Sequence, residues 1–137
     1  MAAMSVLWRP RSRPMLWLCL WITAILAVII ASLLPQQDLP QVPAGVDKVE
    51  HLLSYFLLAW WAAALFARPL IVLAVGAGLV LLGIGIEFAQ AAFTIDRIAD
   101  AADALANMVG VVLGLLMRLT PLGAVLVRLD ASLFSSP

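Results

Sequence analysis

The ionisable and amide residues that could do chemistry fall into three short sets. Asp47, Lys48, His51 and Tyr55 form the first. Asp47, His51 and Tyr55 are four residues apart, which puts them on one side of a helix. Glu87 and Gln90 form the second set, and Arg97, Asp100, Asp103 and Asn107 the third. Carboxylates beside an imidazole can hold a divalent cation, relay a proton or act as general acid and base. The planar fork of Arg97 suits a phosphate or a carboxylate. All three sets are embedded in apolar sequence, and ionisable groups at membrane depth are costly and mark function by default.

Each residue also has a purely structural reading. His51 could be a helix-start histidine hydrogen-bonded to a neighbouring acid, and that reading is preferred to metal ligation. Glu87 could close the bundle through an ion pair with Lys48 or Arg97, a reading of equal weight with catalysis, since an ion pair near lipid is expensive. Asn107 reads as interhelical glue and Asp103 as a functional acid. Arg97 could simply sit at headgroup level. Trp17, Trp21, Trp60 and Trp61 read as interfacial anchors. No HExxH or paired-metal spacing occurs, and no Ser or Cys lies beside a base, so no metal or cofactor is assigned.

The elements that must position these groups are membrane helices. The 137-residue chain is 65% hydrophobic and 12% charged, with mean hydropathy +1.11. A soluble domain is about half apolar and about a quarter charged. The formal net charge is zero and no basic patch points to nucleic acid; the single cysteine, Cys19, excludes an intramolecular disulfide. Residues 1–14 form a basic flank with Arg9, Arg11 and Arg13. Met15 to Leu34 carries no charge and is long enough for an uncleaved spanning helix. Prolines 35, 40 and 43 make a loop. A second helix starts near Asp47, as N-cap or first-turn acid, and runs to about Ala67. Arg68-Pro69 is a tight turn, a third helix runs from Leu70 to about Phe93, and a fourth follows the connection 94–99 and ends at Arg118. The tail 119–137 is too short to span and reads as interfacial, with Arg128 and Asp130 in water.

The expected fold is therefore all-α, an integral membrane four-helix bundle over residues 15–118. Six of the eight basic residues fall on the side of the termini, which predicts both termini and the tail to be cytoplasmic. Rise per residue puts His51, Glu87 and Asp103 about 22–27 Å from the Arg end, near one edge of the hydrocarbon core. On the third helix Gly76, Gly83, Glu87, Gln90 and Thr94 share an arc of about 60°; on the fourth, Asp100, Asp103, Asn107, Gly110 and Gly114 share about 80°. Stripes from three helices thus face one another in a polar layer. Gly110 and Gly114 make a small-xxx-small pair for close helix packing, and Gly85 lies on the opposite face from Glu87.

The pattern Asp47-Lys48-x-x-His51-x-x-x-Tyr55, Glu87-x-x-Gln90, then Arg97 leading to Asp103-x-x-x-Asn107-x-x-Gly110-x-x-x-Gly114 resembles the VanZ-like family across residues 15–118. Asp100 is an acid outside that pattern. The resemblance implies a small four-helix protein of the bacterial cytoplasmic membrane. It also implies a link to the cell envelope, since the founding member accompanies glycopeptide resistance and lowers sensitivity to teicoplanin. The reading chosen is an outward-facing cleft that binds a lipid-linked envelope component, a headgroup or a peptidoglycan precursor. The runner-up is an intramembrane, metal-assisted hydrolase or transferase. A proton-linked transporter is third, because four short helices without repeat halves are few for alternating access unless the chain forms oligomers.

Overall fold

The computed structural model describes residues 7–10, 12–34, 43, 45–94 and 99–134. Among the described residues five α-helices follow one another: α1 (Pro14–Leu33), α2 (Val46–Leu65), α3 (Pro69–Phe93), α4 (Ala101–Leu116) and α5 (Val125–Phe134). Short 3-10 turns, Met117–Leu119 and Pro121–Ala124, connect the last two. Prolines at the first positions of α1 and α3 start those helices, where a missing N–H costs nothing. Gly45 caps α2 with φ +89°, a left-handed conformation that glycine adopts without strain, and Asp47 sits in the first turn. Most of the loop expected at 35–46, the centre of the 94–99 connection with Arg97, and Arg11 lie outside the described residues.

Among the described residues three helices are long and apolar enough to cross a membrane: Pro14–Leu33, Pro69–Phe93 and α4 extended through its 3-10 turn, Ala101–Leu119. The last of these takes in Asp103, as the residue count requires. α2 is as long as α1 but opens with Asp47, Lys48, Glu50 and His51. It is the central helix: Ala59, Ala62, Ala63, Ala64 and Leu65 are each at most 1% exposed. Its C-terminal half is packed among its neighbours, while Val49, Leu53 and Leu57 leave an apolar face exposed.

α2 and α4 make the closest approach in the molecule. A methyl group on Gly110 would collide with the Leu52 carbonyl oxygen and come within 3.0 Å of Phe56 N. One on Gly114 would collide with the Phe56 carbonyl oxygen and meet Ala59 Cβ at 2.8 Å. The glycine pair therefore works as the spacing indicates, by letting two backbones touch.

The two ends of the chain differ from expectation. Residues 7–10, part of the basic flank, are docked on the bundle. Trp8 bridges Phe66 through Ala67 N–H to Leu7 O (2.8 Å) and Arg9 N–H to Leu65 O (2.9 Å), with the two rings 5.2 Å apart. Arg9 donates to Ala63 O and Gly123 O, and Arg118 to Ala63 O, Phe66 O and Ala67 O. Two guanidiniums thus occupy the carbonyls that end α2. Burial, reinforced by the neighbouring charge of Arg118, lowers the Arg9 pKa from its ordinary value.

The tail is a helix packed on the bundle, and Asp130 is not in water: it is 2% exposed. Its carboxylate accepts from Ser12 N–H (2.7 Å), Arg13 N–H (3.0 Å) and Trp17 Nε1 (2.9 Å). Arg128 is exposed, as expected. The short helix missed by sequence pays for its burial by tying down the start of α1. Trp17 and Trp21 are likewise interior rather than interfacial, Trp21 donating to Leu58 O at 2.9 Å. An indole needs a partner when buried, and backbone and carboxylate oxygens supply it here.

Candidate functional site

The polar stripes of α2, α3 and α4 converge at the end of the bundle opposite Arg9 and Arg118. Lys48 lies among three carboxylates: Asp100 at 2.8 Å, Asp103 at 2.9 Å and Asp47 at 3.6 Å. Asp100 also caps α4, accepting from Ala102 N–H at 2.8 Å. The hydrogen bond from Lys48, followed by that from Ala102, holds its carboxyl below the usual range. These outer pairs are well exposed and add little stability.

Deeper in, His51 Nδ1 lies 3.1 Å from Asn107 Oδ1, and His51 Nε2 lies 3.9 Å from Asp103 Oδ2. The structural partner of His51 is thus an amide, while the acid stands just beyond hydrogen-bond distance. Glu87, 4% exposed, accepts from Asp100 N–H through Oε2 at 3.0 Å. It does not pair with Lys48, so that version of its structural role does not hold, and Arg97 is not among the described residues. Glu87 Oε1 is buried and has no hydrogen-bond partner among the described residues; the same is true of Tyr55 Oη and Asn107 Nδ2. Ligating atoms of His51, Glu87 and Asp103 all lie within 4.8 Å of one another.

Tyr55 and Asn107 are 2% and 1% exposed and form the floor of the layer. Gly83, a residue not singled out as part of the site, makes room for them. A methyl there would come 2.9 Å from Asn107 Nδ2 and 3.3 Å from Tyr55 Cε1. Its place on the Glu87 stripe was the available signal. Gln90 does not join the cluster. Its amide donates to Ser32 O at 2.8 Å and ties α3 to α1. An apolar groove of about 450 Å³ lies elsewhere, between α1, α2 and α5, and is lined by Trp17, Leu57 and Trp61 among others; no polar-layer residue lines it.

The arrangement places one imidazole, two inner carboxylates, a cation and three buried polar atoms without partners among the described residues together at one end of an apolar bundle. Buried polar atoms without partners are rare in folded proteins and each calls for an explanation. The chain matches no family model, no curated protein and no solved structure.

Proposed function

We propose that this chain is a four-span protein of the bacterial cytoplasmic membrane whose polar layer faces outward and binds the headgroup of an envelope lipid or lipid-linked precursor. The observation that supports it is the set of buried atoms Glu87 Oε1, Tyr55 Oη and Asn107 Nδ2, unpartnered among the described residues, beside Lys48, His51 and Asp103. A bundle held only by polar glue would pair such atoms. Lys48 offers positive charge and N–H donors to a phosphate, and Tyr55 and Asn107 offer neutral donors. The VanZ-like resemblance agrees with this reading and suggests that glycopeptide sensitivity is its cellular readout. The second reading, a metal-assisted hydrolase or transferase, is favoured by the closeness of His51, Glu87 and Asp103.

Topology can be checked first. A reporter active only outside the cytoplasm should be active when fused after Pro40 and silent after Pro137; an active C-terminal fusion overturns the orientation. The binding reading is tested by mass spectrometry of lipids that co-purify with the protein. Glu87→Gln and Asp103→Asn keep shape and remove charge. Both should lower the retained lipid and change teicoplanin susceptibility at normal folded levels. If both folded variants match the parent in lipid and susceptibility, the site does not bind a headgroup.

A further inference from the structure

The geometry points to a site for one divalent, zinc-class metal ion held by His51 Nε2, Asp103 Oδ2 and Glu87 Oε1. This deepens the reading of the polar layer as a ligand site and does not depend on the ligand being a lipid.

What distinguishes this cluster from an ordinary group of acids is the partner of each non-ligating atom. His51 Nδ1 faces the Asn107 amide oxygen, a contact that in the neutral ring favours the tautomer with the proton on Nδ1 and the lone pair on Nε2. Asp103 Oδ1 takes the Lys48 ammonium, leaving Oδ2 towards His51. Glu87 Oε2 takes Asp100 N–H, leaving Oε1 buried and without a partner among the described residues. Each candidate ligand is thus oriented by a second group, the arrangement that fixes tautomer and direction in metal sites. The three come from three different helices, α2, α3 and α4, so the framework rather than a loop sets their spacing.

Distances and charge agree. Ligand atoms sharing an ion at about 2.0–2.2 Å can stand no more than about 4.4 Å apart. His51 Nε2 and Asp103 Oδ2 are already at 3.9 Å, and one ligating atom from each of the three residues lies within 4.8 Å of the others, close to that limit. Two carboxylates neutralise a divalent ion, which suits a site at the edge of hydrocarbon. Asp47, Asp100 and Asp103 share the single Lys48 ammonium, and Glu87 has only the Asp100 N–H among the described residues. One imidazole with two carboxylates selects zinc over magnesium or calcium, which prefer all-oxygen sites. Three protein ligands leave a fourth position open for water or for a phosphate or carboxylate oxygen, as catalytic zinc sites do.

The test uses the full chain purified with a tag free of histidine, stripped with chelator and freed of lipid. Zinc titration followed by metal analysis should give about one ion per chain, as a three-ligand site requires. Glu87→Gln and Asp103→Asn should weaken binding at least about 100-fold and Asn107→Ala by about 10–100-fold. Glu50→Gln, an exposed acid on the same helix, should bind like the parent. His51 is the only histidine, so the parent itself can decide if a variant does not fold. Copper-loaded protein examined by pulsed electron paramagnetic resonance should show one coordinated imidazole. Failure of the parent to bind zinc, an absence of imidazole nitrogen, or parent-like binding by folded Glu87→Gln and Asp103→Asn overturns the site. Zinc binding without retained lipid would leave the metal site standing and remove the headgroup reading. Retained lipid without zinc would do the reverse.

Discussion

Gly110→Leu is expected to unfold the bundle at temperatures where the parent is intact. The first side-chain carbon already collides with the Leu52 carbonyl and crowds Phe56 N. These are backbone atoms of a buried helix and cannot rotate away as a side chain can. Overpacking a core usually costs about 1–3 kcal/mol, and a backbone collision belongs at or above the top of that range. Gly110→Ala should therefore also be harmful, which separates a true close approach from a merely small site. Gly85 is the control: nothing lies within 4 Å of a methyl placed there. Gly85→Ala should leave stability unchanged or raise it by up to about 1 kcal/mol through lower chain entropy. Thermal melts of the three variants in detergent, read by gel filtration or circular dichroism, provide the check. Parent-like melting of Gly110→Leu would show that α2 and α4 do not touch as described.

Asp130→Ala is expected to release the start of α1 from the rest of the molecule. The substitution leaves Ser12 N–H, Arg13 N–H and Trp17 Nε1 without their acceptor. Water can reach Ser12 and Arg13, which are exposed, but the Trp17 bond is buried. The total cost is about 2–4 kcal/mol, most of it from the indole. Asp130→Asn keeps an acceptor and should lose less. Acid provides an independent reading. Burial raises the Asp130 pKa, but the bonds from Ser12, Trp17 and Arg13 outweigh it, and the carboxyl lies below its ordinary value. A depressed folded pKa means that the unfolded chain binds the proton more readily. Its stabilisation is complete above the unfolded value of about 3.9 and is lost as pH falls through the folded value. The parent should lose melting temperature below about pH 4, and Asp130→Asn should lose less over the same interval. Equal slopes would show that Asp130 is not held as the structure has it.

The apolar helices, their breaks at proline and the glycine pair were legible because each depends on local sequence alone. Convergence of three polar stripes was legible from helical spacing, and the structure does bring Lys48, His51, Glu87, Asp100, Asp103 and Asn107 together. Pairing within the layer was not. Nothing in one helix says that Asn107, rather than an acid, will face His51, or that Glu87 will take a backbone N–H in place of Lys48. Gln90 shares the Glu87 stripe yet turns to Ser32, because a stripe about 60° wide still spans two neighbours. The burial of Asp130 was hidden because its partners lie more than 110 residues away and include two backbone N–H groups.

Central placement of α2 has a consequence for how the molecule is made. Its opening turn carries Asp47, Lys48, Glu50 and His51, and it is not among the helices apolar enough to cross a membrane alone. A charge at the centre of a spanning helix costs about 2.5–3.5 kcal/mol; those of α2 lie in its first turns, where the cost is smaller. Its backbone-to-backbone partner is α4, which leaves the ribosome only after α3 has been synthesised. In a four-span arrangement α2 would therefore seat only after α4 has been made, when Gly110 and Gly114 arrive, and its order of seating would differ from its order of synthesis.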